Sequence, residues 1–192
     1  MASRPLTKAD LRAQAVARRR AMTPHARKIA GAAIARAVLD LPQVVTARSV
    51  AAYLAIGTEP PTADLVEALW SRGTRVILPL LRDDLDLDWA EYDGPGRVAQ
   101  GLRGLWTPTG PRLGVHAVAT TDVLLVPALA VDRSGRRLGR GGGSYDRALA
   151  RVPAGRPVVA LLYAGELHPG VPVEPHDRPV TAAALPSGVS RF

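Results

Sequence analysis

Cysteine is absent from the 192-residue chain. That excludes disulfides, thiolate zinc sites and a cysteine nucleophile, and it fits a reducing compartment. Aromatic residues make up only 4% and include one phenylalanine, so the core must be built from Ala, Val and Leu. Lysine is nearly missing: of 25 basic residues, only Lys8 and Lys28 are lysines. Both lie far ahead of the chain's glycine-rich stretch, which rules out a G-x-x-x-x-G-K-(S/T) phosphate loop. No apolar run approaches the ~20 residues of a membrane helix. The N-terminal stretch carries Arg4, Lys8, Arg12 and Arg18 to Arg20 with no apolar segment behind them, unlike a secretory leader. The expectation is a cytoplasmic protein with no membrane partner.

What is present points to a globular enzyme. Hydrophobic content is 47%, and the length suits one α/β domain spanning residues 1–192. The formal charge of +8 is uneven. Residues 1–36 hold nine basic residues against Asp10, and residues 132–156 hold seven arginines against Asp132 and Asp146. Two such clusters suit either nucleic acid or one polyphosphate held between them. Arginine-rich composition together with frequent Ala, Gly and Pro also fits codon bias with no partner at all.

The elements follow from caps and periodicity. Thr7 is a helix N-cap with Asp10 at the third helical position, and Thr23-Pro24 repeats the signal for a second helix to about Leu39. These two helices are expected to form an N-terminal arm on one edge. Strands are predicted at 48–55, 75–81, 85–92 (antiparallel or edge), 121–131, 157–163 and 179–185. Helices are predicted over 61–72, ended by Gly73, and over 145–151. Residues 93–119 read as irregular. Alternation of strand and helix predicts a mostly parallel, Rossmann-like sheet flanked by helices.

In such a sheet ligands sit beyond the carboxyl ends of the strands. Gly57-Thr58-Glu59 and the turn after Val131 both fall there. The second leads into Arg136-Arg137-Leu138-Gly139-Arg140-Gly141-Gly142-Gly143-Ser144-Tyr145-Asp146-Arg147. Four glycines in five positions let backbone N–H groups converge on an anion. A helix start adds partial positive charge, Arg136, Arg137, Arg140 and Arg147 add countercharge, and Asp146 suits a hard divalent ion. Ser144 at the sixth position departs from a dinucleotide fingerprint. The residues by themselves therefore say phosphate and no more.

The longer stretch VPALAVDRSGRRLGRGGGSYDR, Val126 to Arg147, closely resembles the 5-formyltetrahydrofolate cyclo-ligase family, which carries a V-P-(G/A)-(L/V)-A-(F/V)-D segment followed by G-x-R-L-G-(R/Y)-G-x-G-x-Y-D. Lys8-x-x-Leu11-Arg12 is similar to the family's N-terminal K-x-x-(L/M)-R. Glu59-x-x-Thr62 and Val171-Pro172-x-x-Pro175-His176-Asp177 match two further elements in order and spacing. The resemblance implies ATP as co-substrate, bound by Lys8, Arg12, Arg137, Leu138, Gly139, Arg140, Gly141, Gly142, Gly143, Ser144 and Tyr145. It implies Mg²⁺ at Asp146 and Asp177. It implies 5-formyltetrahydrofolate against Leu54, Glu59, Arg140, Gly141, Gly142, Gly143 and Ser144. Lys8 and Arg140 are the expected catalytic groups, stabilising charge on the transferring phosphoryl.

Two positions depart from the family pattern. Ser144 stands where a second tyrosine is usual, and Thr107 replaces an acid before proline, beside Trp106. Trp106 is assigned to the core in preference to a ligand-facing surface. His176 is read as an orienting group. The expected partner is a small molecule, with no specific nucleic acid, and the expected state is a monomer. Two other readings stay open at this stage: a non-enzymatic family member binding nucleotide or RNA through its basic surface, and an ATP-using α/β enzyme with another anionic substrate.

Overall fold

The computed structural model describes residues 6–192; Arg4 of the N-terminal basic cluster lies outside them. Helix α1 (Lys8–Ala21) opens on the expected capping box, in which the Thr7 hydroxyl accepts from the Asp10 N–H and the Asp10 carboxylate accepts from the Thr7 N–H. Helix α2 (Pro24–Leu39) begins on the Thr23 cap. After the short helix α3 (Pro42–Val45) come β1 (Ser49–Ala51), helix α4 (Ala63–Ser71), β2 (Arg75–Leu81) and β3 (Leu87–Glu91). A ribbon of β4 (Val98–Gln100) and β5 (Trp106–Pro108) follows. The remainder runs β6 (Val123–Pro127), β7 (Ala130–Asp132), β8 (Arg137–Leu138), α5 (Ser144–Leu149), β9 (Val158–Leu161), β10 (Leu167–His168), β11 (Ala182–Leu185) and β12 (Gly188–Arg191).

The main sheet has seven strands in the order β12-β11-β9-β6-β1-β2-β3. The inner pairs are parallel, and the edge strands β3 and β12 are antiparallel. Successive residues of each inner strand feed opposite cores. Val123 and Leu125 pack with Ile34, Val38 and Leu65 beneath α2 and α4, while Leu124 and Val126 pack with Trp89, Val118 and Leu149 on the other face. Helix α2 therefore belongs to the main helical layer, against β11, β12 and α4. Only α1 forms the arm: Leu11 and Ala15 pack on Leu129, Ala130, Leu138 and Val171, away from the main sheet.

Several expected boundaries are corrected. The apolar run 121–131 is two strands, because Pro127 has no N–H to continue the ladder and the Ala128 carbonyl accepts from Arg19 instead. Strand β7 then enters a second, three-stranded sheet with β8 and β10. The strand expected over 48–55 stops at Ala51, since the Thr62 hydroxyl bonds both the Tyr53 carbonyl and the Ala55 N–H. Residues 93–119 are not wholly irregular, and β12 was not expected from the sequence.

The turn between β2 and β3 is tied to α5. Arg151 holds the Asp86 carboxylate through two bonds of 2.9 and 2.5 Å. The Arg151 fork keeps the Asp86 carboxyl below the usual carboxylate range. A depressed folded-state pKa contributes stability above the ordinary carboxyl range and loses it as pH falls through the folded value. We therefore expect Arg151→Met to be less stable than wild type at pH ~7, with the gap closing near pH ~3. Denaturant unfolding at the two pH values checks this, and a gap that stays constant with pH would remove the pair from the acid response.

Candidate active site

A cleft of about 480 Å³ opens where β1, β2 and β6 end. Because these strands are parallel, Tyr53-Leu54, Pro79-Leu81 and Pro127 all reach the same rim. The glycine loop 139–143 forms one wall, α1 a second, and the 174–177 turn a third. Every residue assigned above to nucleotide, folate or metal lines this one cleft: Lys8, Arg12, Leu54, Glu59, the run Arg137 to Tyr145, Asp146 and Asp177. A more open depression of about 660 Å³, lined by Leu80 to Asp84 and Arg112, contains none of them.

The loop's form depends on its glycines. Gly141 has φ +101°, and the Arg12 guanidinium lies 3.5–3.7 Å from where its Cβ would stand. A side chain there would be strained by the positive φ, while the Arg12 guanidinium lies at ordinary contact distance. Arg12 also donates through Nε to the Gly139 carbonyl at 2.9 Å, so α1 and the loop are fastened together directly. Helix α5 runs only six residues. Such a helix adds little dipole, so the loop contributes mainly its own N–H groups to this wall of the cleft.

The arginines divide into two groups. Arg140 donates to the Glu59 carboxylate at 3.1 Å, which joins the two expected rim loops. Arg137 is buried, and its charge goes to Asp146 at 2.7 Å. Arg147 turns away from the cleft. Its Nη2 donates to the Leu85 carbonyl at 2.7 Å and the Gly142 carbonyl at 3.1 Å, bracing the loop from behind. Arg136 does not line the cleft either. The expectation of four arginines supplying countercharge is corrected to Arg140 at the surface and Arg137 through its ion pair. The cleft nevertheless keeps six cationic side chains against four carboxylates, which favours a polyanion.

Lys8 is not an unpartnered cation. Its ammonium meets Asp177 at 2.6 Å and Glu174 at 3.3 Å. Burial works to raise the Asp177 carboxyl, but Lys8, the Glu174 N–H and His176 outweigh it and hold it below the usual range. Burial pushes the Glu59 carboxyl above the usual range despite the Ile56 N–H and the charges of Arg140 and Arg19. Burial likewise drives the hydroxyls of Tyr53 and Tyr145 well upward and Tyr163 to about 12, so all three stay neutral. Among the described residues the Tyr53 hydroxyl and Arg137 Nε are buried without a hydrogen-bond partner.

Asp146 and Asp177 both present carboxylate oxygens to the cleft, the donor type a hard divalent ion takes. Asp146 uses Oδ1 for Arg137 and the Arg178 N–H, and Asp177 uses Oδ2 for Lys8 and the Glu174 N–H. Each carboxylate thus retains an oxygen that takes no hydrogen bond from the described residues, and two carboxylates suit Mg²⁺. Glu174, His176 and Asp177 also bring their ligand atoms within 4.8 Å of one another.

Sequence reasoning missed several residues at this site. Glu174 was passed over because its pairing with Lys8 spans the whole chain. Trp106 is 43% exposed and lines the cleft, so its assignment to the core is corrected: the β4–β5 ribbon presents it on the surface. Arg19 is buried and reaches the cleft. The signal for Arg19 was present, since Leu11, Ala15 and Arg19 fall at helical i, i+4 spacing.

A mostly parallel sheet with a glycine loop and a cation-lined cleft beyond its strand ends is the arrangement of an α/β enzyme. The match to known proteins is specific. Residues 5–186 fit the model of the 5-formyltetrahydrofolate cyclo-ligase family, and the chain belongs to that family. It is 42% identical over 147 residues to the 5-formyltetrahydrofolate cyclo-ligase of Mycolicibacterium smegmatis, covering 74% of this chain and 75% of that protein. It is 34% identical to the Escherichia coli K12 cyclo-ligase, covering 90% and 96%. The solution NMR structure of Aquifex aeolicus 5,10-methenyltetrahydrofolate synthetase superimposes with a TM-score of 0.83 at 25% identity, over 97% of this chain and 93% of that one.

Proposed function

We propose that this cleft closes 5-formyltetrahydrofolate to 5,10-methenyltetrahydrofolate, with ATP converted to ADP and phosphate. The observation that carries the reading is the convergence of all three assigned residue sets on one cleft of suitable ligand size. In this reaction the formyl oxygen takes the terminal phosphoryl group of ATP. N10 then closes on the activated carbon, and phosphate leaves. Little covalent help from the protein is needed; position, charge and dryness supply the rate.

The chain's residues divide these tasks. The N–H groups of 139–143 and the Arg12 guanidinium hold the phosphates. Arg140 and Lys8 face the charge that develops on the transferring group. Mg²⁺, when bound by Asp146 and Asp177, neutralises phosphate oxygens. Glu59 and Leu54 orient the folate, and Trp106 offers a face on which a pterin ring can stack. Leu54, Leu81 and Leu87 keep water from the activated carbon. The reading takes the whole chain as one catalytic domain working as a cytoplasmic monomer.

The test is the absorbance of methenyltetrahydrofolate formed from 5-formyltetrahydrofolate, with and without ATP and Mg²⁺. Absence of product under all conditions would overturn the reading. If the basic clusters serve one nucleotide, RNA and duplex DNA should bind only weakly and without preference at physiological salt. A strong sequence or shape preference in a gel-shift series would instead favour a binding module; salt dependence alone would not discriminate.

A further inference from the structure

A second set of groups lies behind the cleft and takes no part in the roles assigned so far. Arg19 is 1% exposed. Its Nε and Nη2 donate to the two oxygens of Glu166, each at 2.7 Å, and Nη2 also donates to the Ala128 carbonyl at 2.6 Å. The same carboxylate accepts from the Tyr163 N–H at 2.9 Å. The guanidinium stands 5.5 Å from the centre of the Tyr163 ring. The Tyr163 hydroxyl then donates to the Glu59 carbonyl at 3.0 Å, while the Glu59 carboxylate accepts from Arg140 and from the Ile56 N–H.

These contacts form one unbroken line from α1, through the junction of β6 and β7 and the turn after β9, to the rim loop that carries Glu59. A fully buried ion pair is a poor source of net stability, because desolvation offsets most of the attraction and apolar residues of the same volume pack as well. What such a pair does supply is a fixed geometry, here from a bidentate fork with a third carbonyl. Glu59 needs that support. Its loop leaves the main sheet after Ala52, whose N–H bonds the Ile77 carbonyl; the Thr62 hydroxyl holds Tyr53 and Ala55, and beyond them the loop has the Glu59 N–H bond to the Ile56 carbonyl and the Tyr163 hydroxyl on the Glu59 carbonyl. The aromatic stem of Tyr163 is locked between the ion pair and Glu59, so its hydroxyl can hold the loop at one height.

We propose that Tyr163 is a positioning residue, set by the buried Arg19–Glu166 pair, that fixes the Glu59 loop and through it the Arg140 side chain across the cleft. Tyr163 does not touch the reacting atoms; it acts through Glu59. The proposal rests on the reading above only in taking Glu59 as a folate-side group.

The variant that isolates the contact is Tyr163→Phe, which removes one hydroxyl and keeps the ring over Arg19. Two measurements are made on the full chain. The first is amide hydrogen exchange without any ligand. Exchange across residues 55–62 should quicken about five- to tenfold, the scale of one lost hydrogen bond, while β1, β2, β6 and β9 keep wild-type protection. The second is steady-state kinetics. KM for 5-formyltetrahydrofolate should rise about tenfold and kcat should fall, because Arg140 loses its fixed place together with Glu59, while the melting temperature stays near wild type. A double replacement, Arg19→Met with Glu166→Leu, should reproduce the exchange and KM effects if the pair acts through Tyr163. Arg19→Lys should recover them only in part. Unchanged exchange over 55–62 in Tyr163→Phe would overturn the proposal, as would a general loss of protection. Because the exchange experiment needs no turnover, its outcome stands apart from whether the wild-type chain makes methenyltetrahydrofolate.

Discussion

Asp146→Asn should lose turnover and stability together. The carboxylate is assigned to Mg²⁺, and an amide is a poor ligand for a hard cation, so the Mg²⁺-dependent rate should fall by about a hundredfold or more. The ion pair adds a separate cost. Arg137 is buried, its Nε has no partner among the described residues, and Asp146 is the carboxylate that meets its charge. Losing that charge-assisted bond should cost about 1.5–3 kcal/mol of folding stability. Residue type and motif position would predict a purely catalytic defect, and it is the 2.7 Å contact to Arg137 that changes the expectation. The two effects separate in a titration: added Mg²⁺ recovers part of a metal-binding defect and none of the loss in unfolding midpoint. A variant with wild-type Mg²⁺ dependence and rate would remove Asp146 from the site.

Lys8→Ala should act almost wholly on catalysis. Lys8 sits in the first turn of α1, where the helix dipole disfavours a cation. Asp177 and Glu174 balance it without ligand, and under the proposed function the terminal phosphates of ATP compete for the same ammonium. Replacing Lys8 with the best helix former should lower the melting temperature only slightly, since gained helix propensity offsets part of the lost Asp177 pair. A charge-assisted contact to phosphate is worth roughly 1.5–3 kcal/mol, which corresponds to a ten- to hundredfold loss in kcat/KM for ATP. Initial rates over a series of ATP concentrations check this. Wild-type ATP kinetics in Lys8→Ala would refute the phosphate contact and reduce α1 to packing and the Arg12 bond.

The parts of this site legible in the sequence were those that leave a local mark. Four glycines around Arg140 announce a backbone that must accept φ values such as +101° at Gly141. Thr7 with Asp10, and Thr23 with Pro24, announce helix starts because capping is a matter of three residues. The parts that stayed hidden depend on partners far along the chain. Nothing near Glu166 says that Arg19, 147 residues earlier, will lie against it. Nothing near Trp106 says that β4 will turn it outward. The division of residues 121–131 into two strands lies between these cases. Pro127 was a visible warning against one continuous central strand, but only the three-dimensional arrangement explains where β7 goes.

Helix α1 has a consequence for how the protein is made. Its contacts run to Ala128, Gly139, Glu166 and Asp177, separations of 109 to 169 residues. Helix α1 is therefore made more than a hundred residues before its partners and must wait for the 174–177 turn before it can dock fully. Closing so long a span carries an entropic cost that no early contact offsets, and high contact order slows folding. The growing chain can assemble β1, β2 and α4 while α1 has nowhere to pack, with Leu11 and Ala15 uncovered. Assembly of the cleft is thus a late event, in which α1 closes over segments made more than a hundred residues after it.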